Sequence, residues 1–224
     1  MKNTVRVLFI ALLFINGASH CFAQSEFSKW FENKALRIDY YLAGNADSEH
    51  FYLDDLREEP FWSGSPNSLI DNLDFGTHRV LVTDAQSGTL IYSRRFCTLF
   101  QEWQTTAEAQ KLDRAFEQVT RIPYPKQKVT VTFQSRGRDG KFTELHQLEI
   151  DPAGIFINRR AMNTIPNYKI VDNGHYSQKL DIAFIAEGYA NNQMDKFKSD
   201  VKRFADFLLS QPPFDELAES INIW

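Results

Sequence analysis

The last 45 residues carry the pattern that most restricts how this chain can fold. Leu180 to Ala186 (LDIAFIA) becomes almost continuously apolar from Ile182, as in a strand covered on both faces. Glu187-Gly188-Tyr189 ends that run, and Asn191 or Asn192 is placed to cap a helix with Asp195 in its first turn. Met194, Phe197, Val201, Phe204 and Leu208 recur at spacings of 3, 4, 3 and 4, one apolar stripe, until Pro212-Pro213 stops the helix. Ile221-Asn222-Ile223-Trp224 then reads as the opening of a second strand. A strand–helix–strand unit normally belongs to a sheet of several parallel strands. Alone it cannot bury its faces, and units below roughly 40–60 residues are marginal without staples. The expectation is an α/β domain that residues 180–224 only begin.

Residues 24–160 follow a different grammar. Leu36 to Tyr40 alternates apolar and polar residues up to Gly44-Asn45, and His50 to Leu56 resumes the alternation. Arg79 to Thr83 and Thr89 to Tyr92 flank a Ser87-Gly88 turn. Lys128 to Gln134 and Phe142 to Ile150 alternate with period two on either side of Asp139-Gly140, a strong hairpin signal. One helix is expected to interrupt these strands. Thr105 with Glu108 fits a capping box, and Leu112, Phe116 and Val119 recur at helical spacing up to Pro123. The fold class read here is α+β: an antiparallel β-sandwich with one helix, then a linker over 161–179 rich in Asn, Pro, Gly and Ser, then the incomplete βαβ start.

The first 23 residues read as an address. Lys2 and Arg6 precede the apolar run Val7 to Ile15, and small residues lead to Ala23. That is a signal peptide, implying a secreted, periplasmic or cell-surface protein. The run is too short to span a bilayer, which needs roughly 20 residues, so no transmembrane segment is expected after cleavage. His20 before Cys21 replaces the small residue that a lipoprotein signal requires. Cleavage after Ala23 takes the balance of 25 basic and 29 acidic residues to 23 and 29, a charge of −6. An acidic chain of this kind is not expected to bind nucleic acid. Cys97 is the one cysteine left, and within Phe96 to Phe100 it is expected as a small core hydrophobe rather than a reactive thiol.

A search for chemistry finds no catalytic constellation. His50, His78, His146 and His175 show no H-E-x-x-H spacing. Glu144 and His146 share a strand face, but no third ligand accompanies them. His175 reads as a polar loop residue. Asp54-Asp55 and Glu58-Glu59 match no calcium loop and read as a solvated turn. Ser63-Gly64-Ser65-Pro66 lacks the order of a nucleophile elbow, and Gly188 stands outside any phosphate loop. Glu187, Gly188 and Tyr189 keep functional interest, because they fall at the carboxyl end of a buried strand before a helix, where open α/β sheets bind ligands.

The run Lys179 to Tyr189 (KLDIAFIAEGY) resembles the start of the catalytic domain of the IgA-peptidase family of secreted zinc metallopeptidases, metallo family sixty-four. Met194-Asp195-Lys196-Phe197, Asp200, Arg203-Phe204, Pro213-Phe214 and Ile221 to Trp224 continue the likeness. Tyr40-Tyr41, Gly76 to Val80 and Ser87 to Arg94 resemble the domain that precedes that peptidase. The resemblance implies an exported zinc endopeptidase acting on protein or peptide. Its zinc sits on an H-E-x-x-H helix with a further ligand, and its Glu is the general base on a zinc-bound water. No residue here matches that helix, so no catalytic or metal residue carries over and zinc is expected only in a full-length form. Only Glu187, Gly188 and Tyr189 match a motif near the cleft. The other reading is a non-enzymatic extracellular module, a β-sandwich whose loops bear Trp62 and Trp103 to bind glycan or protein.

Overall fold

The computed structural model describes residues 26–161 and 165–224. The signal peptide read over 1–23, Cys21 included, and part of the 161–179 linker lie outside the described residues. The chain divides into two compact units, one ending at Ala161 and the other spanning Met162–Trp224.

The first unit is a β-sandwich. One sheet has the order β5-β1-β2-β8, formed by Arg114–Pro125, Phe31–Asn45, Ser48–Glu59 and the short Ile157–Asn158. The other has the order β4-β3-β6-β7, formed by Leu90–Phe96, His78–Asp84, Val129–Arg136 and Phe142–Ile150. All of its pairs are antiparallel. In the first sheet only β8 runs parallel to its neighbour, β2. The hairpins turn where the alternation stops, with Gly88 at φ +68° and Gly140 at φ +78°, conformations that glycine adopts without a Cβ penalty.

Period two fills the core from both sheets. Leu36, Ile38 and Tyr40 from β1 meet Val80, Val82, Val131 and Phe133, all almost inaccessible to water. Tyr40 stacks on Phe51 at 4.5 Å and meets Phe133 at 5.0 Å, while Phe51 and Phe133 lie 4.8 Å apart. The Tyr40 hydroxyl shares a hydrogen bond with Thr120 Oγ1 at 3.2 Å. Burial pushes that hydroxyl up to about 12, so it stays neutral throughout the physiological range.

The helix lies elsewhere than expected. It is α1, Leu99–Gln104, capped by Thr98, whose side chain accepts from the Gln101 N–H at 3.2 Å. The helix expected from Thr105 up to Pro123 does not form: its second half lies in the strand β5, Arg114–Pro125. Thr120, Ile122 and Tyr124 are buried on one face, and twelve partners from Gly44 to Phe31 on β1 fix the register. Long-range pairing and the β-branched run Val119-Thr120 to Ile122 outweigh the coincidental helical spacing of Phe116 and Val119. Pro123 and Pro125 are tolerated because β5 is an edge strand. Glu108 caps nothing; it accepts from Trp103 Nε1 at 2.8 Å and pairs with Arg114 at 2.6 Å.

The second unit holds the expected βαβ. β9, Leu180–Ile182, runs parallel to β10, Ile221–Ile223, with α2, Met194–Leu208, between them. Val201 and Ala205 of α2 pack on Ile221 and Ile223. Val171 bridges to Ile223, so part of the stretch 161–179 also packs on this sheet. Three expectations fail locally. Phe204 is 51% exposed and Ala205 takes its place in the buried stripe, because the short sheet covers only a narrow face of the helix. Asn191–Gln193 form a 3-10 turn rather than a cap, and Gln193 Oε1 accepts from the Ala190 N–H at 2.9 Å. Leu180 and Ile185 are 58% and 87% exposed, so this run is not covered on both faces here.

Leu36→Ala should destabilise the sandwich by about 2–5 kcal/mol, measured by chemical denaturation, because the site cannot collapse around the lost methyl groups. Backbone amides of β9 and β10 should exchange with deuterium faster than those of β1, β3 and β6, since a two-stranded sheet of three residue pairs has few ladder hydrogen bonds to open. Equal protection in both units would contradict that ranking.

Candidate functional site

The expected site residues sit on the connection from β9 to α2. Gly188 adopts φ +77°, which turns the chain sharply after Glu187. Glu187 is exposed, so its carboxylate stands in solvent. Tyr189 turns back on the helix. Its ring packs edge-on against Phe197 at 5.1 Å, and its hydroxyl donates to Asp200 Oδ2 at 3.0 Å. Lys196 Nζ lies 2.5 Å from the same oxygen, and Arg203 stands 3.7 Å from Asp200 Oδ1. The Lys196 hydrogen bond, then that of Tyr189, hold the Asp200 carboxyl below its usual range. The same bond to Asp200 pushes the Tyr189 hydroxyl up. Tyr189 thus anchors the turn and leaves Glu187 as the group facing water.

Sequence reading names Asp200 only within the family likeness and not as the partner of Tyr189. The i, i+4 spacing of Lys196 and Asp200 is the signal that finds it, because those positions are neighbours on a helix. Asp200→Asn should lower the Tyr189 titration toward the ordinary tyrosine range, read by carbon NMR of labelled tyrosine. An unchanged titration would remove Asp200 as the cause.

The histidines are dispersed and structural. His78 is 2% exposed; its Nε2 lies 2.7 Å from Glu49 Oε1, and Nδ1 lies 3.1 Å from Thr77 Oγ1. Burial pushes the Glu49 carboxyl up, but the hydrogen bond and charge of His78, with a bond from Ser135, bring it below its ordinary value of 4.5. A β-bulge between Phe133 and Gln134 separates the expected Glu144–His146 pair. His146 stacks on Phe51 at 4.5 Å, while Glu144 stays exposed. His175 lies 4.1 Å from the Tyr176 ring. Among the described residues, no group of three or more His, Cys, Asp or Glu side chains can hold a metal ion.

Other expectations change as well. Asp54-Asp55 and Glu58-Glu59 lie in β2 rather than in a turn. Asp55 pairs with Arg57 at 3.2 Å, Glu58 with Lys34 at 3.0 Å and Glu59 with Arg121 at 2.6 Å, so strand neighbours absorb the acidic run. Cys97 is exposed rather than in the core, because β4 has ended and the chain is turning toward the Thr98 cap. Trp62 is buried, and Trp103 packs partly buried against Phe100 and Phe116.

Two family models match this chain in order. One, described as Peptidase M64 N-terminus, covers residues 26–147, more than half of the chain. The other, described as IgA Peptidase M64, covers residues 168–224. The chain therefore belongs to the M64 peptidase family. No curated protein matches it. The first match falls on the sandwich and the second on the βαβ unit, so the class is a metallopeptidase family and these residues are an IgA-peptidase-like portion of it.

Glu49→Gln should cost about 1–3 kcal/mol of stability at pH 7, because a buried partner of His78 loses its charge. The carboxyl is depressed in the folded state, so its contribution is full above pH 4.5 and is lost as pH falls through the lowered folded value. Denaturant melts should therefore show the variant's deficit shrinking in acid. A deficit that does not change with pH would contradict a stabilising role for the Glu49 carboxylate.

Proposed function

We propose that these residues form the N-terminal sandwich and the opening of the catalytic domain of a secreted zinc endopeptidase that acts on protein or peptide. Residues 1–23 are its signal peptide, 24–160 the sandwich, 161–179 the linker and 180–224 the first strands and helix of the peptidase domain. The observation that carries this is the order of the two family matches along the chain, one on each compact unit. Zinc belongs to the full-length form. The described residues do not offer it a ligand set, and the 224-residue sequence has no H-E-x-x-H run, so no catalytic step is assigned to any residue here. Glu187 and the turn at Gly188 lie at the edge of the cleft, with Tyr189 positioning them. No helix among the described residues is long and apolar enough to cross a membrane.

The purified 224-residue chain, given zinc chloride, should leave casein intact and bind no stoichiometric zinc in calorimetric titration. One equivalent bound at submicromolar affinity would overturn this reading. Residues 1–24 fused to a periplasmic reporter enzyme should export it, and a reporter retained in the cytoplasm would contradict secretion.

A further inference from the structure

We propose that the sandwich has a docking slot for an extended, acidic polypeptide segment, which adds as a strand to the free edge of β5. The slot is a groove of about 950 Å³. Gln118, Val119, Thr120 and Arg121 of β5 line one wall, and β4 residues, Arg94 among them, line the other, with Cys97 just beyond.

β5 ends its sheet, and among the described residues no strand pairs with its outer side. In an edge strand every second residue turns its N–H and C=O outward, a template for an incoming strand. Val119, in the middle of this stretch, is 44% exposed. Four residues at about 3.3 Å each give a docking length of about 13 Å. The β4 wall is already closed. Ser93 N–H donates to the Leu69 carbonyl at 2.9 Å, and Arg95 N–H donates to Asp71 Oδ2 at 2.9 Å. A guest strand therefore finds its free backbone partners on β5.

Trp62 lines the groove at 6% exposure, with its Nε1–H buried and without an acceptor among the described residues. The charges set the guest's sign. Arg121 is paired with Glu59, and Asp71 is held by Arg95. Arg94 is exposed and has no carboxylate within 4.0 Å among the described residues, so the groove keeps one uncompensated cation. An acidic side chain on the guest answers it. This site lies wholly in the sandwich and stands apart from the zinc reading.

The test uses the 224-residue chain carrying Cys21→Ser, so that Cys97 is its one thiol. The probe is a fluorescent eight-residue peptide of alternating Glu and Val, followed by polarisation. Saturable binding is expected, with the amides of 118–121 slowed in hydrogen exchange and Cys97 protected from a chromogenic disulfide reagent. Arg94→Glu should weaken binding about tenfold or more, and the same peptide N-methylated at every backbone amide should lose it. No saturable binding would overturn the proposal. So would equal binding of the N-methylated peptide, which would reveal charge attraction alone, or binding that leaves 118–121 and Cys97 unprotected.

Discussion

Tyr40, Phe51 and Phe133 meet between the two sheets, and the sandwich is organised around that contact. The three rings fill the space that a small β-sandwich must close, and aromatic pairs at these separations add to the gain from area alone. Tyr40 also imposes a polar condition, because its buried hydroxyl must find a partner. Thr120 answers it, which places β5 beside β1 in one register. β1 is therefore flanked on both sides, β5 becomes the edge, and the slot beside β4 follows from that placement. On the other side of the same cluster, His146 covers Phe51, which is why its ring serves packing rather than metal chemistry.

The second unit is built on polar bonds more than on burial. Asn222 is 2% exposed and fully engaged: Nδ2 donates to Asp181 Oδ1 at 2.8 Å and to the Gly174 carbonyl at 3.0 Å, and Oδ1 accepts from the Asn173 N–H at 2.8 Å. Trp224 Nε1 donates to the same Asp181 oxygen at 3.0 Å. These bonds fix β9 against β10 while Leu180, Ile185, Phe204 and Phe207 remain in water. A pair of strands with this much exposed apolar surface is stabilised weakly by the hydrophobic effect. The Tyr189–Asp200 anchor gives the turn after β9 a defined shape, and Glu187 is presented from it.

Local patterns were legible where local physics decides. The hairpins at Ser87-Gly88 and Asp139-Gly140 follow from period two and a glycine at positive φ, and the parallel unit follows from the apolar run, the stripe and Ile221-Asn222-Ile223. The helical spacing of Leu112, Phe116 and Val119 points to a helix up to Pro123, while the β1 partners that make residues 114–125 a strand lie some 80 positions away in sequence. The apolar neighbours of Cys97 point to the core, whereas its exposure is set by where β4 stops. The bulge that parts Glu144 from His146 leaves no trace in the alternation. The family was legible from Lys179 to Tyr189 and its continuation. The slot was not, since its walls come from three separated stretches that only the tertiary fold brings together.

The sandwich has a hydrophobic core of its own, and the second unit has a separate one. Differential scanning calorimetry of residues 24–161 alone, set against the whole chain, tests that division most directly. The account predicts that the fragment keeps the main cooperative transition, with its midpoint within about 5 °C of the whole chain's. A fragment that shows no cooperative transition, or melts more than about 10 °C lower, would contradict it, because the stability of the sandwich would then reside in residues 162–224.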